Sequence, residues 1–503
     1  SHDSGSDITI TGGTINVAST SKIDLGRLTK GDKGKTFTLY DFTNATVAGE
    51  ENSWAKLPDG TYTNKNCNVI ASRTLKQFTI ENGVITLNAV GSNFVPTDSD
   101  EDGIRTGAYH VANAMAESTD ENITKFIDVI SDMEGSSGTA AASEALNASI
   151  NIGEAGGVQH GAASMAGLIG EAIGSNMSIA VRPILSGGQQ AAMKKMANDG
   201  DVKDAKIEEV EVAKVNEIMP VAYQEQKYEK TIWASYMHNK ENINGLQLDG
   251  VKQNGTAQYN GTTVGADLWS SGKVVGGVAM AYSTGDVNST IGQAGTKNEA
   301  KYYGVSVYNR WTNGKTGILA DVGYMNAKNE LTQYNAGSEA TADAKVNSFT
   351  AGVRAEQLIK LGNSNLVPFA GIRYMHNRNG EYTLSVNGSE GQHFSPDNQN
   401  IITPQVGVAW NGEFTIPGSK WTFRPSVEVG YLWNLGDRET ESLVSFGGAS
   451  DTIGYEVADK SSYYGKLGMD FRKDNVILGV SFKYQKGDAV KNRKWNFNVN
   501  FIF

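Results

Sequence analysis

Arg424 and Glu428 lie four residues apart in a run where Trp421, Phe423, Pro425, Val427, Val429, Tyr431 and Trp433 alternate with Thr422, Arg424, Ser426, Glu428 and Gly430. A β-strand has a side-chain period of two, so both charges share one face and the apolar residues share the other. Two charges on a strand this long need water or counter-charges opposite them. The chemistry on offer is electrostatic, ion pairs and hydrogen bonds in a hydrated space, and not bond-making. The same parity puts Asp267, Asp321, Glu356, Arg354, Arg373, Lys466, Asp470 and Lys483 on the wet faces of other runs. Two readings stand side by side: a mutually paired wet wall, or a surface that holds a threaded segment and keeps a hydrated route open.

Motifs for covalent chemistry are missing. The chain has no GxSxG, Walker A, HExxH or CxxC, and its six histidines are scattered. Asp98-Ser-Asp100-Glu-Asp102-Gly103 matches the first half of a calcium loop, but Tyr109 stands where a bidentate Glu is needed. Acidic residues before a helix also complement its dipole. Gly170-Glu-Ala-Ile-Gly174 has GxxxG spacing, a weak signal off a membrane helix. No catalytic residue, metal or cofactor is expected.

Composition narrows the class. With 44 basic and 55 acidic residues among 503 the net charge is −11, which argues against a nucleic-acid partner. No apolar run reaches the ~18 residues a spanning helix needs, yet barrel strands face lipid with only every second residue. Gly is abundant at 58 and Pro scarce at 9, suiting strands and tight turns. The single cysteine, Cys67, excludes an internal disulfide framework. Ser1-His-Asp-Ser-Gly-Ser shows neither Met nor an apolar signal core, so the chain reads as a mature or truncated piece of something longer.

Three zones position the charges. Residues 1–95 hold short strands split by turns, such as 77–80 and 84–87 around Asn82-Gly83, and read as rungs of a β-helix-like stub, with a small sandwich as the alternative. Residues 96–230 read as a helical linker. Its stripes are Ile104, Ala108, Val111 and Met115, then Ile123, Phe126, Ile127 and Ile130 behind a Ser118–Glu121 capping box, then Met165 to Ile173. Residues 181–230, with a charged run from Asp201 to Glu217, read as linker or frayed helix.

Residues 231–503 keep period two and give twelve strands. Short turns (270–272, 312–315, 362–364, 473–475) alternate with long polar loops (240–255, 283–300, 376–400, 435–460). An even strand count with short turns on one rim and long loops on the other predicts an antiparallel outer-membrane β-barrel. Seven of the eight tryptophans fall in this zone. Trp233, Trp269, Trp311, Trp410 and Trp421 are assigned to an aromatic girdle at the short-turn rim, Trp433 and Trp495 to one at the other. Trp495, Phe497, Val499, Phe501 and Phe503 form one oily face of the last strand. A lumen of twelve strands leaves room on the order of one helix, ~10–12 Å across. Residues 103–117 are the first choice for it, with the helices after Ser118 on the periplasmic side; Ala162–Ser178 is the competing choice.

A β-helix stub, a helical linker and a twelve-stranded barrel ending in Phe503 resemble the translocator unit of the classical monomeric autotransporters (type V secretion). The resemblance implies a Gram-negative outer membrane, a helix through the lumen, and a passenger, here of adhesin type, carried to the cell surface. It implies outer-membrane lipid, the barrel-assembly machinery and the chain's own passenger as partners, with a monomeric barrel. The terminal strand is similar to the signal that machinery reads. Relatives that cut their own linker use an Asn pair, and Asn-Asn does not occur here. A stand-alone channel with an accessory N-terminal domain is the alternative.

Overall fold

The computed structural model describes residues 104–178 and 230–503, apart from 249–250, 272, 363 and 416–420, together with the backbone of short strands before residue 96. The acidic segment 98–103 and the run 201–217 lie outside the described residues.

Twelve antiparallel strands close into a ring: β1 (Thr231–Leu248), β2 (Val251–Ser271), β3 (Val274–Ile291), β4 (Ala294–Thr312), β5 (Thr316–Asn335), β6 (Ser338–Gln357), β7 (Ser364–Asn379), β8 (Gln399–Gly412), β9 (Thr422–Trp433), β10 (Ser461–Lys473), β11 (Val476–Lys486) and β12 (Val490–Ile502). Closure comes from β1 on β12, in register from Thr231↔Ile502 to Ile243↔Val490. Each of the twelve strands is paired on both sides, the condition for standing in a hydrocarbon solvent.

The turns carry the expected chemistry on the short-turn rim. Gly314 and Gly362 have φ of 92° and 61°, which only glycine adopts freely. The long polar loops are different from expectation. Residues 240–248 and 251–255 are strand, 283–300 is strand through a turn at Gly292, and 376–400 and 435–460 hold hairpins, Tyr382–Val386 with Ser389–Pro396 and Glu439–Phe446 with Ala449–Glu456. Both hairpins continue the wall: Ala340↔Val386, His393↔Ser445 and Leu248↔Tyr455 are paired.

Polarity along one strand explains the difference. On β5 the outward residues are Ile318, Val322 and Tyr324, then Asn326, Lys328 and Glu330. The inward ones are Asp321 and Gly323, then Ala327 and Leu331. The lower half is oily outside and wet inside, as lipid requires. The upper half, toward the long-loop rim, is wet outside and oily inside, as a soluble protein requires.

Helices fill that upper half. They are α1 (Tyr109–Ala116), α2 (Glu121–Ser137), α3 (Thr139–Ile150), the short α4 (Ile152–Ala155) and α5 (Val158–Met177). Ile123, Phe126, Ile127 and Ile130 are all at most 1% exposed, each worth about 1.5–3 kcal/mol of burial. They share one core with Leu331, Ala342, Leu384, Phe394, Val444 and Ile453 of the wall. Asp120, rather than Ser118, caps α2: its Oδ1 accepts from Asn122 N (2.9 Å) and Ile123 N (3.2 Å), while Ser118 Oγ accepts from Asp120 N. Those bonds hold the Asp120 carboxyl below its ordinary pKa.

In the stub, Ser21–Asp24 pairs parallel with Cys67–Ile70, while Gln77–Glu81 and Val84–Ala89 form the antiparallel hairpin that Asn82-Gly83 predicts. Parallel and antiparallel pairings are mixed there.

Candidate functional site: the occupied lumen

The helix inside the barrel is α5, and not 103–117. It leans on β2 to β7 and runs the full depth of the wall. Val158 packs in the upper core, while Ile173 and Met177 meet Trp233, Val275, Tyr308 and Leu319 at the short-turn end. The 103–117 segment is slim and directly follows the stub. Yet Val111, Ala112, Met115 and Ala116 need apolar partners, and the lower lumen has few. They sit instead against the second hairpin, where Asp451 supplies the N-cap α1 lacks: Oδ2 accepts from Val111 N at 2.8 Å and Oδ1 lies 2.6 Å from His110 Nδ1. For the same reason α2 and α3 lie at the long-loop rim and not at the short-turn rim, the periplasmic side expected for them. Asn122 reaches Ser389 of the first hairpin (2.9 Å).

Small residues let α5 approach the wall. A Cβ on Gly161 would stand 2.6 Å from the Tyr302 hydroxyl, and one on Gly170 would meet the Arg373 guanidinium at 2.0 Å. Gly174, the other half of the GxxxG spacing, faces open space. Close packing against the wall, and not helix pairing, explains Gly170.

All ten charges assigned by parity point inward, and they fall into separate groups. Arg354 bonds Glu356 (2.7 Å) and Glu428 (3.1 Å), with the Tyr464 hydroxyl donating to Glu428 at 2.7 Å. Arg373 grips Asp321 with two bonds of 2.8 and 2.9 Å. Asp267 accepts from Thr231 N, Thr231 Oγ1 and the Tyr308 hydroxyl, tying the foot of β1 to β2 and β4. Arg424 turns toward Glu413 at the short-turn rim (2.7 Å), and Asp470 stands opposite it in register on β10. Among the described residues three of the ten bond polar groups of the helix segment, and Arg373 packs on Gly170. Lys483 pairs with Glu171 at 2.7 Å, Lys466 donates to Ser175 Oγ at 3.0 Å, and Glu356 accepts from Ser178 Oγ at 2.7 Å.

Several helix contacts escaped the sequence reading. Lys494 also pairs with Glu171; its even position on β12 beside Asn496, Asn498 and Asn500 was the available signal. Glu241 receives Ser164 Oγ (2.6 Å) and lies 2.8 Å from His160 Nε2, but it sat in a stretch read as loop. Above these, wall amides and a hydroxyl donate to carbonyls at helix ends. Gln333 donates to Ala148 O (2.9 Å), Gln253 and Ser289 to Ala155 O (2.8 and 2.5 Å), and Asn298 to Gly156 O (2.8 Å).

Because α5 hugs one side, a cavity of ≈ 320 Å³ remains along the other wall, lined by Glu171, Arg354, Arg373, Lys466, Lys483 and Lys494 among others. Above the lipid-facing belt, burial raises the Glu154 carboxyl on α4 to about 7. Tyr382 and Tyr455 stand beside it, both pushed well above their ordinary pKa by burial and by that carboxyl.

On the outer face Tyr236, Tyr324, Tyr374 and Tyr431 ring the upper edge of the oily belt. Their hydroxyls donate to Asn260, Asn347, Asn400 and Ser461 at 2.7–3.2 Å. Trp269, Trp311, Trp433 and Trp495 are exposed on the outside, but Trp233 turns inward, 1% exposed, its Nε1 donating to Tyr308. Ile232, Ala234 and Tyr236 fix the outward parity of β1, so Trp233 cannot join the girdle. Trp495, Phe497, Val499, Phe501 and Phe503 all face outward.

A closed ring with an oily lower exterior, an aromatic border and a charged, helix-filled lumen defines an outer-membrane β-barrel. Residues 232–483, half the chain, match the Autotransporter beta-domain family, and the protein belongs to that family. The IgA-specific serine endopeptidase autotransporter of Neisseria gonorrhoeae is 26% identical over 237 residues, covering 46% of this chain and 14% of that protein. Similar solved structures include the beta domain of the Bordetella autotransporter BrkA (15% identity, 55% of this chain, 100% of that one, TM-score 0.41). The transport unit of AIDA-I from Escherichia coli is another (14%, 63% and 99%, TM-score 0.43).

Proposed function

We propose that this chain exports and anchors its own N-terminal passenger at the surface of a Gram-negative cell. The observation that carries the reading is the direction of α5. It enters the lumen from the helix-filled upper half and leaves at Ser178 beside Glu356, next to the short-turn rim where Lys230 pairs with Phe503. The described helices before Val158 therefore belong to the long-loop side, which faces the exterior in barrels of this kind. On this reading residues 1–95 are the end of a β-helix-like passenger of adhesin type, 96–230 the linker and 231–503 the translocator. The barrel works as a monomer, the barrel-assembly machinery reads the β12 face that ends at Phe503, and the unit itself is not an enzyme. The lumen charges clamp the linker.

Surface proteolysis of intact cells tests the topology. Cleavage within residues 1–95 and protection of 158–177 are expected; protection of the N-terminal segment in intact cells with cleavage only after lysis would overturn it. Phe503→Asp should sharply reduce insertion, and normal surface display of that variant would refute the assembly role of the last strand.

The cavity beside α5 favours a second reading, a stand-alone channel. Planar-bilayer recording separates the two: steady conductance with the helix in place supports a channel. A quiet pore that opens only when residues 1–177 are deleted supports the plugged translocator.

A further inference from the structure

On the outside of the barrel, at the seam where the ring closes, four cations cluster without counter-charges. Lys240 of β1 stands directly opposite Arg493 of β12, and Lys491 of β12 directly opposite Lys486 of β11. Lys240, Lys491 and Arg493 are exposed and Lys486 half-buried, and none of the four makes an ion pair among the described residues. Asp488, in the turn that joins β11 to β12, pairs with none of them; the turn is held instead by Asp459, which accepts from Ala489 N and Val490 N. Like charges set directly across a ladder destabilise it.

The same barrel shows how such repulsion is relieved elsewhere. Lys301, Lys328 and Lys345 also stand opposite one another, across β4, β5 and β6. The next outward row there is acidic, Glu299, Glu330 and Asp343, and Lys301 lies 3.5 Å from Glu330. At the seam the neighbouring outward positions are Asn242, Gln258 and Tyr484, which offer no charge.

Level decides what could neutralise the seam. Arg493 lies two residues beyond Trp495, about 7 Å along the strand. Trp495 packs on Phe482 with ring centroids 4.8 Å apart, and both face lipid at the upper edge of the oily belt. An occupant that puts tails on Trp495 and Phe482 and an anion among the four cations is a lipid of the outer leaflet. We propose that the seam binds a lipid with an anionic phosphate headgroup, and that this lipid bridges β11, β12 and β1 across the closure of the barrel. The proposal needs only the membrane barrel and does not depend on export.

Binding of phosphatidic acid, a lipid with one phosphate monoester, to the full chain in neutral detergent tests this by native mass spectrometry. Phosphatidylcholine serves as the neutral arm. Each seam cation removed should weaken phosphatidic acid binding about fivefold, from ~1 kcal/mol per cation at an anionic headgroup. The variant K240Q/K486Q/K491Q/R493Q should therefore lose binding, while K301Q/K328Q/K345Q stays near the parent. The charge-keeping variant K240R/K486R/K491R should bind like the parent, which controls for folding. Unchanged binding in the four-site variant, or equal loss in the three-site control, overturns the proposal. So does displacement of phosphatidic acid by an equal concentration of inorganic phosphate, which would mark a site for the free ion.

Discussion

The two halves of the barrel wall are built from the same strands with the same period, yet they solve opposite problems. Below the tyrosine ring, β4 turns Tyr303, Val305 and Val307 to lipid and keeps Ser306, Tyr308 and Arg310 inside. Above it, β4 turns Lys301 and Glu299 outward and keeps Ala300 and Asn298 inside, against the helices. Lipid and the α1–α4 core exchange roles as the apolar partner. A ring of strands can therefore be a membrane protein at one end and a globular one at the other, with the sign of its alternation set by whichever side holds the greasy neighbour.

Reversing that sign on one side at a time is the sharpest way to break the comparison. Leu331→Asp places an unpaired charge in the upper core and should cost on the order of 4 kcal/mol. Val307→Arg on the lower exterior should cost ~2–4 kcal/mol. Urea unfolding in bilayers, read by tryptophan emission and by proteolysis of the upper strands, separates the two. Loss of the upper helices alone is expected for the first, and failure of the whole ring for the second. Equal, global loss for both would show one cooperative unit and erase the distinction.

A pH series sharpens the same contrast. In the folded chain the Glu154 carboxyl titrates at about 7 against an ordinary 4.5. The unfolded chain therefore releases its proton first, and stability falls as pH rises from 4.5 through 7. Below 4.5 both states hold the proton and the penalty vanishes. Glu154→Gln should remove up to ~3 kcal/mol of that slope, so its unfolding midpoint at pH 8 should exceed the parent's and match it at pH 4. Smaller still, Asp451→Ala removes the cap of α1 and should cost about 1 kcal/mol, seen as faster hydrogen exchange at Val111 and Ala112.

What the sequence disclosed follows from this division. Where lipid is the partner, every second residue must be apolar, so Trp421–Trp433 and Trp495–Phe503 announced themselves, as did the inward parity of Arg354 and Lys483. Above the belt the inward residues are small or amide-bearing, such as Ala340, Ala342, Asn298 and Gln333, because helices pack against them. Outward residues there are polar too, so 240–255 and 283–300 carried no alternation and read as loops. Slimness and a place directly after the stub favour 103–117 for the lumen, and neither decides it. The discriminating feature was which faces carry charge: Glu171 and Ser175 on α5 answer lysines of the wall, while Val111 and Met115 on α1 have nothing polar to answer.

Asp451, reaching from the second hairpin to the first turn of α1, ties the earliest helix to the wall at the outermost rim. Tension on the chain ahead of Tyr109 would load that joint, and the packed isoleucines of α2 behind it, before any strain reached the salt-bridged rod in the channel.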